Sequence, residues 1–305
     1  MLTAIICTYN RAKYIGNLLE SIAANDLEKS AYEIVLVDNN CTDNTREICE
    51  AFAKKHKDVN FRYVVEPEQG LSAARNKGIK EAKCDVLVYI DDDALVDTWY
   101  LRIVAEYMQA HPEISAVGGP IIPLYETEEP KWMTRFTKEL LCGYLYFGDK
   151  KRPFPGERYP GGGNAAYRAE VFAEVGLFNT DLGRKGDGLM GSEEKDIFDK
   201  MKARGMRFMY LPKMILHHII PQKKLERDYF NRLTYQIGLS ERQRTKAIGT
   251  GKYINRLVKE AIKWGGTLVL LAGYTLQGQP MRGWKLILFR WNVSRGLTGA
   301  KRMQT

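Results

Sequence analysis

Asp91-Asp92-Asp93 is the first place in this chain where residue type and spacing alone point to chemistry. Three adjacent carboxylates repel one another unless a cation or hydrogen-bond donors sit among them. Hard oxygen ligands suit Mg2+ or Mn2+, and those ions commonly bridge to substrate phosphates. The same triplet also reads as a solvated acidic turn or a helix N-cap, so alone it leaves both readings open. Two more polar clusters, Thr8-Tyr9-Asn10-Arg11 and Asp38-Asn39-Asn40, follow apolar runs in the same way. Arg75 offers a planar fork that can grip an anion through two bonds, or it is an ordinary surface arginine of a helix. Gly161-Gly162-Gly163 before Asn164 lets backbone approach a ligand closely, or it is a plain flexible turn.

These residues need elements to hold them. Leu2–Cys7 is an apolar run that reads as a buried strand, with Thr8–Lys13 a polar turn after it. Tyr14–Ala24 places Ile15, Leu18, Leu19 and Ile22 at helical spacing. Glu33–Val37, Asn60–Val65 and Asp85–Ile90 predict three further strands. Between them lie a helix carrying Ile48, Ala51 and Phe52 on one face, capped by Thr42 or Asp43, and another over Leu71–Ala82. Strands alternating with helices of this length predict an α/β fold with a parallel, doubly wound sheet. Ligands in such sheets sit outside the carboxyl ends of the strands, where all three polar clusters fall. Residues 120–160 are rich in Pro, Gly and aromatic side chains and are expected to be loops over the site plus one helix. Ala169–Val175 and Ser192–Arg204 predict helices, and Arg207–Leu211 a strand.

Ile-Ile-Cys-Thr-Tyr-Asn-Arg at 5–11, Val37-Asp38-Asn39, Gly-Leu-Ser-Ala-Ala-Arg-Asn-Lys-Gly at 70–78 and Tyr89–Asp93 occur in this order. Together they resemble family 2 glycosyltransferases of the GT-A fold, over residues 1 to about 220. The resemblance implies a mostly parallel twisted sheet flanked by helices. It implies an inverting, metal-assisted single displacement from a nucleoside-diphosphate sugar, a UDP-sugar by default, to a hydroxyl of a glycan or lipid-linked acceptor. By the same resemblance Thr8, Tyr9, Asn10 and Arg11 hold the nucleoside and diphosphate, and Asp38 hydrogen-bonds the base. Arg75 and Asn76 lie beside the nucleotide, Asp91 faces the ribose with Asp92 next to it, and Asp93 binds Mn2+ or Mg2+. His218, following Tyr210-Leu211-Pro212, completes the metal site or contacts the diphosphate, or is a structural histidine. Gly162, Gly163 and Asn164 match the Gly-rich segment on the acceptor side.

Glu193-Glu194 stands where the family usually has Glu-Asp, and the second acid is normally the catalytic base. An inverting transfer needs one carboxylate to take the proton of the attacking hydroxyl. Glu194 is therefore the first candidate and Glu193 the second. Glu in place of the commoner Asp leaves the choice between them open, and both acids could instead complement a helix dipole.

Charge divides the chain. Residues 222–305 hold 17 Lys and Arg against 4 Asp and Glu, whereas residues 1–221 hold 29 against 33. The expected organisation is a catalytic domain over 1–222 and a basic helical region over 223–305. Within the latter, Ile254, Leu257, Val258, Ala261 and Ile262 alternate with Arg256, Lys259 and Lys263 as in a basic amphipathic helix. Trp264–Met281 then runs 18 residues without a charge. That falls short of the roughly 20 apolar residues a spanning helix needs. The expected partner is an anionic membrane surface, which would place the protein in the cytoplasm on the inner face of the cell membrane. An oligomer interface or a cap over the catalytic domain is the alternative. Nucleic acid is not an expected partner, because no zinc spacing, RNP-like motif or homeodomain pattern accompanies the basic region. A nicotinamide dehydrogenase would carry GxGxxG at the first turn, where this chain has Cys-Thr-Tyr-Asn-Arg. That loop also argues against a sugar-phosphate nucleotidyltransferase. The intact acids argue against an inactive GT-A scaffold. Five cysteines without a CxxC exclude a disulfide framework, and no secretory leader is expected from the first residues.

Overall fold

A computed structural model describes residues 1–186, 188–189 and 191–300. In chain order the elements are β1 (Leu2–Thr8), α1 (Ala12–Ala23), β2 (Tyr32–Asp38), α2 (Thr45–Lys55), β3 (Asn60–Val65), α3 (Leu71–Glu81) and β4 (Val86–Ile90). Next come β5 (Ala94–Val96), α4 (Tyr100–Ala110), β6 (Ala116–Gly118), β7 (Ile121–Tyr125), α5 (Arg135–Cys142), β8 (Arg152–Pro153), β9 (Asn164–Arg168) and α6 (Val171–Val175). The chain continues through α7 (Glu193–Ala203), β10 (Phe208–Tyr210), β11 (Leu216–Ile220), α8 (Gln222–Leu225), α9 (Arg227–Ile248), α10 (Thr250–Leu276) and α11 (Pro280–Thr298).

Two compact units result. The first comprises Met1–Leu124, Leu145–Asp181 and Glu193–Ile219. The second comprises Tyr125–Tyr144, Leu182–Ser192 and Ile220–Thr305. The division is thus not one cut after residue 222, because two earlier segments also belong to the second unit.

The first unit is built on a sheet of order β3-β2-β1-β4-β9-β6-β10-β8. β3, β2, β1 and β4 run parallel, as the alternation of strands and helices requires. Side chains alternate between two cores. Leu2, Ala4, Ile6, Ile34, Leu36, Val88 and Ile90 pack with Ile15, Leu18, Leu19 and Ile22 of α1. Ile5, Val35, Val37, Leu87 and Tyr89 face the other way, against Ala74, Phe178 and Phe198. A sheet covered on both faces explains why these strands read as continuous apolar runs.

Residues 120–160 hold more than loops and one helix: β7 and β8 lie there beside α5. The Gly-rich segment feeds β9, which inserts antiparallel between β4 and β6. A second, three-stranded sheet has the order β5-β11-β7.

In the second unit Met133, Leu141, Cys142, Phe230 and Leu233 form a separate core. Thr134 and Thr137 form a reciprocal cap on α5, and Gly143 ends that helix in the left-handed region at φ 62. Gly238 of α9 and Gly296 of α11 let those helices touch backbone to backbone. A Cβ on either would overlap main-chain atoms of the other helix. The amphipathic segment and the uncharged run as far as Leu276 form one continuous helix, α10, of 27 residues. Among the described residues no helix is long and apolar enough to cross a membrane. No disulfide joins any of the five cysteines.

Candidate active site

The site gathers at the carboxyl ends of β1, β2 and β4. Thr8 ends β1 with its side chain buried. Asn10 follows at φ 53, a conformation that its short amide tolerates. Its Oδ1 accepts from the Thr42 amide at 2.7 Å, tying the first loop to the second.

Asp38 ends β2 and is buried. Its Oδ1 accepts from the Cys41 amide at 2.6 Å, and its Oδ2 accepts from the Tyr63 hydroxyl. Burial and that contact with Asp38 both push the Tyr63 phenol up. Asn39 links the same loop to residues 66–70. Its amide donates to the Glu66 and Glu68 carbonyls at 3.0 and 2.7 Å, and it accepts from the Gly70 amide at 2.7 Å.

Beyond β4, Asp91, Asp92 and Asp93 diverge. The Asp91 amide donates to the Gly163 carbonyl at 3.2 Å. A Cβ on Gly163 would overlap the Asp91 carboxylate, so a larger residue there would displace that side chain. This approach follows from the register of β4 and β9, in which Ile90 pairs with Asn164. Arg11 lies 3.5 Å from Asp92 and 3.7 Å from Asp93. Burial pushes Asp92 up to about 7, Arg11 pulls it down and Asp93 adds to the rise. Asp93 leads into β5, where Ala94 pairs with His218 of β11. That pairing brings His218 Nε2 within 3.3 Å of Asp93 Oδ1.

The two candidate bases have different surroundings. α7 starts after Ser192, which is held at φ 80. Glu193 is 3% exposed and meets Arg75, itself 4% exposed, at 2.7 Å. Arg75 Nη1 lies 3.9 Å from Glu194, whose side chain is 27% exposed. Arg75 also lies 5.3 Å from the Phe178 ring and 5.9 Å from the Tyr89 ring. Burial opposes its charge, but Glu193, Glu194 and Asp91 outweigh this and hold it firmly protonated. Burial and Glu194 push Glu193 up to about 8, against the pull of Arg75. A Cβ on Gly162 would come within 2.6 Å of Glu194 and 2.9 Å of Arg75, so the glycine backbone lies directly against these groups.

The structure thus brings Arg75, Asp91, Gly162, Gly163, Glu193 and Glu194 together, and Arg11, Asp92, Asp93 and His218 beside them. It gives two expected residues another task. Asn164 is fully buried: it accepts from Tyr100 at 2.7 Å and donates to the Pro120 and Met214 carbonyls at 2.8 and 3.2 Å. Asn76 exchanges two 2.9 Å hydrogen bonds with the Phe178 backbone. Both side chains fasten the walls of the site. Tyr9 is half-buried in the first loop. Tyr63 was not legible as a site residue, because it reaches Asp38 only through the β2–β3 register. Cys7 sits among Arg75, Asp91 and Asp92. Burial pushes its thiol up to about 12, with Arg75 pulling the other way, which leaves it a poor nucleophile.

The donor set also fits a divalent cation held partly by substrate. Among the described residues no three His, Cys, Asp or Glu side chains form a metal cage. Asp93 and His218 supply two converging donors. One or two protein ligands, with phosphate oxygens and water completing the shell, is a common arrangement for Mg2+ at phosphate sites.

The family model for glycosyl transferase family 2 matches residues 3–176. Glucosyl-dolichyl phosphate glucuronosyltransferase of Haloferax volcanii is 26% identical over 246 residues, covering 79% of this chain and 76% of that protein. Succinoglycan biosynthesis protein ExoM of Rhizobium meliloti is 24% identical over 234 residues, covering 76% and 71%. Among solved structures, mannosyltransferase PcManGT from Pyrobaculum calidifontis in complex with GDP-Man and Mn2+ superposes with a TM-score of 0.66 at 20% identity, covering 98% of this chain and 88% of that one. Residues 1–349 of S. aureus TarS give a TM-score of 0.55 at 17% identity, covering 98% and 91%. The fold is that of the GT-A glycosyltransferases.

Proposed function

The chain belongs to glycosyl transferase family 2 and is a glycosyltransferase, and from that premise we propose an inverting transfer from a nucleoside-diphosphate sugar to an acceptor hydroxyl. One observation supports this most. A partly exposed carboxylate, Glu194, stands against the Gly162 backbone, on the same glycine run that presses on Asp91. A base and a strand-end acid on either side of one glycine-lined wall suit a reaction in which donor and acceptor meet there.

In this mechanism Glu194 accepts the proton of the acceptor hydroxyl as its oxygen bonds to the anomeric carbon. The bond from that carbon to the diphosphate oxygen breaks, and its electron pair leaves with the nucleoside diphosphate. Attack opposite the leaving group inverts the anomeric centre. Glu193, 3% exposed and held against Arg75 at 2.7 Å, is the poorer base because an acceptor hydroxyl could reach it only by displacing that buried contact. Arg75 positions Glu194 from below rather than gripping phosphate. Thr8, Tyr9, Asn10, Arg11 and Asp38 bind the nucleoside diphosphate, a uridine nucleotide by default, and Arg11 lies within 4 Å of both Asp92 and Asp93. Asp93 and His218 would hold Mn2+ or Mg2+, which supplies Lewis-acid stabilisation of the charge on the leaving diphosphate.

The acceptor is a glycan or a lipid-linked sugar. The matched relative that uses glucosyl-dolichyl phosphate and the one named for succinoglycan biosynthesis both favour this. The basic second unit fits a peripheral position on the cytoplasmic face of an anionic membrane.

Thermal unfolding with UDP, GDP, CDP and TDP, each with and without Mn2+, tests the donor site. Ligand at 100 times its Kd adds about 2.7 kcal/mol of stability. One nucleotide should raise Tm in a manner requiring both Mn2+ and Asp93. A folded sample indifferent to all four nucleotides would overturn the proposal.

A further inference from the structure

Helices on soluble proteins turn their apolar stripe inward and their charges outward. α10 departs from this pattern, although Trp264 and Leu271 still pack toward α11. Its inward side carries Arg256 and Glu260, which pair at 2.8 Å. Arg290 of α11 reaches Glu260 at 3.1 Å, and Glu241 of α9 reaches Arg256 at 3.2 Å. The outward side carries Ile254, Val258, Ile262, Val269 and Leu276, all exposed, the last three at 70, 72 and 89%. Steps of four and seven residues keep these five on one strip of the helix. Gly265 lies within it and faces open space.

We infer that this strip is embedded in the acyl-chain boundary of one leaflet of an anionic bilayer, with α10 lying in the membrane plane. The inference rests on the proposed peripheral membrane location and specifies how the second unit makes that contact. Three observations choose a bilayer as the occupant. The first is the exposed aliphatic strip itself, backed by ion pairs folded inside, which suits an apolar surround. The second is charge. Of the four acids in residues 222–305, Glu241 and Glu260 are engaged with arginines, and Glu226 and Asp228 stand at the start of α9. The charges exposed along α10 are therefore basic, among them Lys252 and Lys259, and complement anionic headgroups. The third is shape. The helix is about 40 Å long at 1.5 Å per residue. No described helix can cross a membrane, so a strip of that length is accommodated in the plane. Trp284 and Trp291 of α11, seven residues apart on one face and largely exposed, suit the headgroup level.

The test is flotation of the full chain with phosphatidylcholine vesicles containing phosphatidylglycerol, at low salt and at about 1 M salt, where the screening length is about 3 Å. Wild type should float in both. The triple variant Ile262→Ser, Val269→Ser, Leu276→Ser should bind more than tenfold more weakly in both. Its Tm should be unchanged, since the replaced side chains are solvent-exposed. Lys252→Gln with Lys259→Gln should weaken binding only at low salt. Flotation that vanishes at high salt and ignores the triple variant would leave the membrane location standing and overturn the embedded strip. Failure of wild type to float, with a dimer in free solution that the triple variant turns into a monomer, would overturn both and assign the strip to a second copy of the chain.

Discussion

Glu194 and Glu193 are adjacent in sequence yet differ in what surrounds them, and the proposed choice of Glu194 as the base rests on that difference. Glu194→Gln should lower kcat by about a thousandfold, within the range general-base removal produces. Nucleotide affinity, measured by calorimetry, should stay within a factor of about two, a shift of under half a kcal/mol. A Glu194→Gln enzyme of near-normal kcat would move the role to Glu193. Arg75 makes a separable prediction. Arg75→Lys keeps the charge but loses the planar fork that meets Glu193 at 2.7 Å and lies 3.9 Å from Glu194. Misplacing a reacting group by about 1 Å can cost a hundredfold. A fall of that order in kcat with the donor KM unchanged would mark Arg75 as a positioning residue. A rise in KM alone would instead mark direct contact with the nucleotide.

At the level of elements, the parallel half of the sheet was legible in the sequence because β1, β2 and β4 are buried on both faces and stand out as apolar runs. Their polar exits were legible for the same reason: Thr8, Asp38 and Asp91 are where the apolar run stops. β9 was not legible. A glycine run followed by Asn-Ala-Ala resembles a loop, and only the antiparallel pairing with β4 and β6 makes it a strand. Asn164 looked like a ligand-facing polar residue beside glycines. Its real partners, Tyr100, Pro120 and Met214, lie 44 to 64 residues away in sequence, beyond the reach of any local pattern. Asn164→Leu should therefore cost about 3 kcal/mol, since it strands buried polar partners. Urea unfolding should show a lower midpoint, and a neutral result would return Asn164 to the acceptor side. α10 shows the complementary limit. Its composition suggests a basic amphipathic helix, but Arg256 turns inward because acids on two helices wait there. Glu260→Ala should destabilise the protein by about 3 kcal/mol by removing the acid that Arg290 and Arg256 share, leaving Arg256 with Glu241.

For the molecule as a whole, the net charge of +9 conceals a slightly acidic stretch over residues 1–221 and a strongly basic one over residues 222–305. Bulk charge is then a poor guide to the pH dependence of folding in the first unit, and individual buried carboxyls matter more. Glu193 is the clearest case, with its carboxyl raised from 4.5 to about 8 by burial first and by Glu194 next. Such a group holds a proton in the folded state that the unfolded chain has already released. Its contribution is full below about pH 4.5 and is lost as pH rises through about 8. Glu193→Gln fixes the side chain in a neutral form resembling the protonated acid. Thermal unfolding of wild type from about pH 5 to about pH 9 should show Tm falling across that window, and the variant should show a shallower fall. The two curves should lie closest at the acidic end and separate toward the alkaline end, where the wild type has lost the advantage of its proton. Parallel curves would show that Arg75 keeps Glu193 ionised throughout. Glu194 would then share its site with a permanent negative charge, and its own activity profile should shift to higher pH in wild type than in the Glu193→Gln variant.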